Sequence, residues 1–204
     1  MKRRDALIAL AGSACLAGCA VLGLTGTLGP SREPPAEGSG NLTFIPNAPY
    51  VPTRPELVEA LLALANVGPR DFVYDLGCGD GRIVIAAAQL RGARGVGIDI
   101  DFDLVSLAQA RASGAGVADR VRFVSGDLFQ LDLREATVVT LYLSVALNQK
   151  LLPKLLRELP VGARIVANRF GMGEAWPPEK TVQVGDTPLY LWTVPADRFV
   201  KILK

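Results

Sequence analysis

Short apolar runs alternate along the chain with longer segments of mixed polarity, and the alternation predicts strands near 72–75, 94–99, 121–125, 137–143 and 164–170 with helices between them. A helix over 55–65 precedes the first strand, and one over 83–90 follows it. Two late strands, near 181–184 and 189–194, have no helix between them. Gly185-Asp186 and Thr187-Pro188 break them into an antiparallel hairpin. Helix starts are marked by Pro55 and Asp103, and stops by Gly68 and Gly92. Strands that alternate with helices imply an α/β fold, its sheet mostly parallel and joined by right-handed crossovers.

The run from Phe72 to Ala88 carries the densest chemistry. Its pattern is Asp75-x-Gly77-x-Gly79-x-Gly81, set where a buried strand turns into a helix. The three glycines permit positive φ angles and close backbone approach by a ligand. The pattern departs from the dinucleotide fingerprint because Arg82 stands where a third, more distant glycine is needed. Asp75 and Asp80 would both face a phosphate held at the helix start, which is costly in a partly desolvated crevice and argues against a nicotinamide dehydrogenase. S-adenosylmethionine has no phosphate and carries a sulfonium and an ammonium, so the same carboxylates attract it. The structural alternative is a tight turn that only packs helix on sheet.

Two further strands end in acids. The run from Arg94 to Ile100 contains Asp99, at the spacing expected of a carboxylate that accepts hydrogen bonds from both ribose hydroxyls. The run from Val121 ends in Asp127 and Leu128, suited to the adenine amino group and the adenine face. Ligands of open α/β sheets bind at the carboxyl ends of the strands, where Asp75, Asp99 and Asp127 all fall. Asp103 and Asp119 read as helix caps or turn formers.

With these motifs the chain resembles the class I S-adenosylmethionine-dependent methyltransferases over about residues 50–195. It is similar in particular to the protein-lysine methyltransferases of the adenine nucleotide translocase and ATP synthase c-subunit, and to small bacterial proteins of the same build. The residues that carry this are Pro49 to Thr53, Asp75 to Ile85 and Ala163 to Phe170; Val138 to Leu143 with Leu151 to Leu159 also resemble the non-SET histone lysine methyltransferases. The resemblance implies a Rossmann-like seven-stranded sheet closed by a C-terminal antiparallel hairpin. It also implies N-methylation of a protein lysine. A small-molecule methyltransferase, or a tethered nucleoside-binding domain without turnover, would share the cofactor half.

Methyl transfer to an amine is an in-line displacement in which positioning and desolvation carry most of the rate. A lysine must arrive neutral, which an apolar, aromatic-lined channel favours. The chain has no histidine, so a histidine base is excluded, and no cluster of metal-ligating residues stands out. Tyr142 at the end of the fourth strand is the candidate for orienting the acceptor nitrogen, or a core tyrosine whose hydroxyl reaches the surface. Asn168 at the end of the fifth is a second candidate. The segment around Tyr142 lacks the Asn/Asp-Pro-Pro-Tyr motif of amide and base N-methyltransferases, which lowers the case for nucleic-acid or glutamine targets. Upstream, the prolines from Ile45 to Thr53 set an extended path, read as a strap across the cofactor mouth or as an ordinary packed linker. As a strap it would set Tyr50 beside the acceptor channel.

Composition bounds the rest. The chain has 204 residues, half of them hydrophobic, enough for one α/β core. Its net charge of +2 and scattered basic residues give no broad face for nucleic acid. Lys2, Arg3 and Arg4 precede an uncharged run from Ala6 to Gly29, so residues 1–29 read as a signal peptide or membrane anchor. Leu16-Ala-Gly-Cys19 fits a lipobox that would leave Cys19 for lipid attachment, and Arg3-Arg4 resembles a twin-arginine start; an uncleaved anchor is the alternative. Either places the domain outside the cytoplasm, against the cytoplasmic supply of the methyl donor, and a cytoplasmic site follows if the start is misassigned. Residues 30–41 read as a flexible tether and 42–204 as the methyltransferase domain. Cys78 reads as a small buried hydrophobe, since no histidine base accompanies it.

Overall fold

The computed structural model describes residues 50–197. The expected signal or anchor, the tether, Cys19 and the strap before Tyr50 lie outside them. A helix α1 (Pro55–Leu64) leads into a sheet built from β1 (Phe72–Leu76), β2 (Arg94–Asp99), β3 (Val121–Ser125), β4 (Val138–Leu141), β5 (Arg164–Asn168), β6 (Lys180–Val184) and β7 (Thr187–Thr193). Helices α2 (Arg82–Arg91), α3 (Phe102–Gly114) and α4 (Val145–Glu158) connect β1 to β2, β2 to β3 and β4 to β5, but the helix expected between β3 and β4 is absent, and turns over 126–137 make that connection. The strand order is β3-β2-β1-β4-β5-β7-β6, with β7 antiparallel to both of its neighbours. This is the Rossmann-like, mostly parallel, seven-stranded sheet with a C-terminal hairpin that the chain leads one to expect.

Burial on both sheet faces explains why the strands read as continuous apolar runs rather than as alternation. On one face Tyr74, Leu76, Val139, Leu141 and Ile165 pack with Leu151 and Leu155 of α4, with Leu159 just after it and with Trp192. On the other, Val73, Val138 and Val166 pack against Leu57, Val58, Leu61 and Leu62 of α1. Each of those four α1 side chains contributes about 1.5–3 kcal/mol of burial. A third cluster joins α2 to α3 through Val84, Val105, Ala108 and Phe123.

Several boundaries differ from the sequence reading for local reasons. The cap of α3 is Asp101, whose carboxylate accepts from the backbone N–H of Asp103 (2.9 Å) and Leu104 (3.2 Å); Asp103 sits inside the first turn. After α1 the left-handed turn falls on Asn66 (φ 48°), ahead of Gly68. β4 stops at Leu141, where its pairing with both neighbours ends, and β5 stops at Asn168 because Arg169 turns left-handed (φ 63°). The hairpin loop is only Gly185-Asp186, so β7 begins at Thr187. Pro188 is accommodated there because its carbonyl alone is used, accepting from Arg169 N–H at 2.9 Å.

Candidate active site

Strand pairing lines up the residues that carry chemistry. Leu76 pairs with Ile98 and with Leu141, and Leu141 pairs with Ala167. Asp99, Gly77, Tyr142 and Asn168 therefore follow directly, at successive strand ends along one edge of the sheet. Strands sit about 4.8 Å apart, so the four form a row across the carboxyl edge. Asp127 follows β3, beyond Asp99.

The glycine turn is held from β2. The N–H groups of Gly77 and Cys78 both donate to the Ile98 carbonyl at 2.9 Å, and Gly79 N–H donates to Asp99 Oδ2 at 2.8 Å. Asp99 Oδ1 accepts from Asp101 N–H at 3.1 Å. Gly77, Gly79 and Gly81 all take positive φ, which only glycine adopts without strain. The close approach at two of them comes from the protein itself. A Cβ on Gly79 would stand 2.6 Å from the Tyr50 ring, and one on Gly81 2.6 Å from the Phe123 ring. Gly81 thus answers to helix–sheet packing, as the structural alternative had it.

The carboxylates of the turn differ in what they can offer. Asp75 is 2% exposed and accepts from Thr140 Oγ1 at 2.5 Å. Burial pushes its carboxyl up to about 7, the Thr140 hydrogen bond opposes this, and the nearby Asp99 and Asp80 charges add to it. A cation beside Asp75 would be drawn to the ionised form, so the donor's ammonium or sulfonium suits this position. Asp80 departs from the expectation of a free carboxylate. It is 1% exposed and ion-paired with Arg82 (2.6 Å) and with Arg111. Burial alone would raise it, but hydrogen bonds from Arg82 and Tyr50 and the two arginine charges hold it at about 2. Its charge is committed within the protein, so it shapes the turn rather than meeting a ligand's cation. The Cys78 thiol, buried and bonded to the Gly79 carbonyl at 3.7 Å, is pushed up by burial and by Asp75 and Asp99, and stays protonated.

Arg82 also ties down the segment before α1. Its guanidinium donates to the Thr53 carbonyl (2.8 Å) and to the Tyr50 hydroxyl (3.3 Å), so the chain from Tyr50 to Thr53 lies across the glycine turn. Beside this segment is a cavity of about 230 Å³ lined by Thr53, Leu57, Tyr142, Asn168, Arg169 and Thr187, among others. Tyr142 is half-buried and stacks on Phe170, with ring centroids 6.3 Å apart. Asn168 donates to Thr53 Oγ1 at 3.4 Å. The cavity brings Tyr142 and Asn168 together, while the Tyr50 ring sits against Gly79.

Toward β3 the edge changes character. Asp127 Oδ1 accepts from Phe129 N–H at 2.9 Å, and Leu128 is half-buried. Ile100 and Phe102, absent from the sequence-based site, are 61% and 69% exposed next to Asp99. An apolar residue directly after a strand-end acid is the signal that could have flagged Ile100. Thr53, Arg111 and Thr140 carried no such signal, because their partners lie 115, 31 and 65 residues away. The turn, Asp75, Asp99 and the exposed apolar side chain of Ile100 are chemically matched to a phosphate-free, cationic nucleoside.

Comparison with known proteins agrees with this chemistry. The family model described as the ANTKMT methyltransferase domain matches residues 75–180. A protein-lysine N-methyltransferase of Saccharolobus islandicus (strain REY15A) is 40% identical over 146 residues, covering 71% of this chain and 90% of its own length. The adenine nucleotide translocase lysine N-methyltransferase of Mus musculus is 38% identical over 146 residues, covering 72% of this chain and 63% of its own length. The matched part thus spans less than two thirds of that mouse relative. A crystal structure of an RNA methyltransferase from Salinibacter ruber in complex with S-adenosyl-L-homocysteine superposes with a TM-score of 0.71 at 52% identity, covering 72% of this chain and 95% of that one.

Proposed function

Because this chain belongs to the ANTKMT methyltransferase domain family, we propose that its acid-lined sheet edge takes S-adenosylmethionine and that the adjoining cavity takes a protein lysine. The enzyme is an S-adenosylmethionine-dependent protein-lysine methyltransferase. The single observation that carries the reading is the row of Asp99, Gly77, Tyr142 and Asn168, which sets a nucleoside half beside an amine half. On this reading Asp99 takes the ribose hydroxyls, Asp75 faces the cationic end, and Gly77 and Gly79 shape the turn beneath it. Asp127, Leu128 and Ile100 border the adenine. Asp80 and Gly81 act one step back, holding the turn and its helix. The bound donor supplies an activated methyl group. Tyr142 and Asn168 orient the amine, and Tyr50 with its neighbours closes the turn from above.

The Salinibacter ruber structure, described as an RNA methyltransferase, keeps RNA open as a second acceptor class. The net charge of +2 and the dispersed arginines favour protein. The test is incubation of the full chain with methyl-labelled donor and a cell extract, followed by separate recovery of protein and RNA and acid hydrolysis of the protein. Label in methyl-lysine is the expected outcome. Label confined to nucleotides would overturn the lysine assignment while leaving the methyltransferase.

The N-terminal segment supports membrane attachment through a lipid on Cys19 or an uncleaved anchor, with the domain outside the cytoplasm. Mass spectrometry of the N-terminal peptide from the membrane fraction tests this. A diacylglyceryl-modified Cys19 supports the lipoprotein, and an intact Met1 or its processed form in a soluble fraction contradicts attachment.

A further inference from the structure

We propose that the carbonyl oxygen of Asn168 accepts an N–H of the acceptor amine, and so serves the first and second methyl transfers to a lysine but not the third. The inference rests on the lysine reading above. Asn168 is 1% exposed and lines the cavity beside Tyr142. Its amide nitrogen is engaged by Thr53 Oγ1, while its Oδ1 is buried without a hydrogen-bond partner. Buried polar atoms are nearly always paired, so such an oxygen in a cavity wall points to a donor that arrives with a ligand.

Among the described residues only Asn148 Oδ1 shares this state. Asn148 differs in kind. Both of its polar contacts are donations, to the carbonyls of Phe170 (2.9 Å) and Gly171 (3.2 Å), and it does not line the cavity. It clamps the turn after β5, whereas Asn168 is a lining residue of the cavity beside Tyr142.

The chemistry then sets a limit. In each transfer the neutral nitrogen attacks the methyl carbon with its lone pair. The carbon–sulfur bond breaks with its electrons staying on sulfur; the ammonium products of the first two transfers give a proton to water, and the trimethylammonium of the third has none to give. While the lone pair points at the methyl carbon, only N–H bonds remain to anchor the nitrogen. Neutral lysine has two, monomethyl-lysine has one, and dimethyl-lysine has none. Asn168 therefore steadies the first two acceptors, and in the third transfer its oxygen has nothing to accept.

The test uses full-length wild type, Asn168→Ala and Asn168→Asp with peptides built around a lysine labelled in the extract experiment. Each peptide is synthesised with that lysine free, monomethylated or dimethylated, and initial rates are read by mass spectrometry. In Asn168→Ala the ratio of first-transfer to third-transfer rate should fall at least tenfold. Asn168→Asp, which keeps an acceptor oxygen, should restore most of it. Affinity for S-adenosylhomocysteine, read by calorimetry, should change less than twofold and reports that the variants are folded. Equal slowing of all three peptides would make Asn168 a general packing residue, and an unmoved ratio would assign its oxygen to water; either overturns the proposal. A wild type that binds the donor yet labels no lysine sinks the lysine reading instead, and this inference with it.

Discussion

At the residue scale the account rests on how each acid is placed. Asp99 accepts from Gly79 N–H of the turn and from Asp101 N–H at the start of α3, and retains lone pairs for a ribose. Removing it forfeits two ligand hydrogen bonds at about 1.5–3 kcal/mol each. Asp99→Ala should therefore weaken S-adenosylmethionine binding by at least about a hundredfold in a calorimetric titration, and unchanged affinity would sink the assignment. Tyr142→Phe preserves the ring that stacks on Phe170, so it isolates the hydroxyl. Turnover should fall about tenfold with donor affinity unchanged, the size expected of one oriented hydrogen bond; equal activity would leave Tyr142 a packing residue. Asp75 makes a pH statement. Its carboxyl is raised from 3.8 to about 7, so between those values the folded, donor-free protein keeps a proton that the unfolded chain releases. Stability present below about pH 4 is thus lost as the pH rises toward 7, at up to about 1.4 kcal/mol per pH unit. Asp75→Asn should flatten that slope in denaturant titrations across the range, and a persisting slope would mean that other groups cause it. Asp80 works in the opposite sense, stabilising above 3.8 and losing its contribution as the pH falls through about 2. The positions of Asp75, Asp99 and Asp127 were legible because each closes an apolar run. The difference between Asp75 and Asp80 was not, since it depends on Arg111 and Thr140 arriving from other strands and helices.

At the scale of elements, the hairpin and the helix–strand order, apart from the helix expected between β3 and β4, were legible because length and apolar content separate strands from helices in a sheet buried on both faces. Ends were less so. A strand stops where its neighbours stop, and a cap depends on which of two nearby acids, Asp101 or Asp103, meets the free N–H groups. Gly81 caps α2 at its N-terminus and is pressed on Phe123 and Ala108. Gly81→Ala meets those side chains at 2.6 and 2.7 Å in a left-handed backbone (φ 77°). It should destabilise by roughly 2–4 kcal/mol, adding overpacking to αL strain. A thermal melt within about a degree of wild type would contradict this. The segment from Tyr50 to Thr53 is bound to the turn chiefly through Arg82, an arginine that the sequence marks only as a departure from the dinucleotide fingerprint.

At the scale of the molecule, the described residues 50–197 form the sheet and helices that hold both halves of the site, and the N-terminal signal and tether lie outside them. Topology does what no single motif could. The order β2-β1-β4-β5 at the centre of the sheet brings Asp99, Gly77, Tyr142 and Asn168 into one row, although they span 92 residues of sequence from Gly77 to Asn168 if both ends are counted. The claim that the Asp99 and Gly77 half of this row is a donor site is tested most directly by calorimetric titration of the full chain with S-adenosylmethionine and, separately, with NAD. Binding of the first in the micromolar range, with none of the second, is the expected result. Binding of NAD at comparable affinity, or of neither, would contradict it.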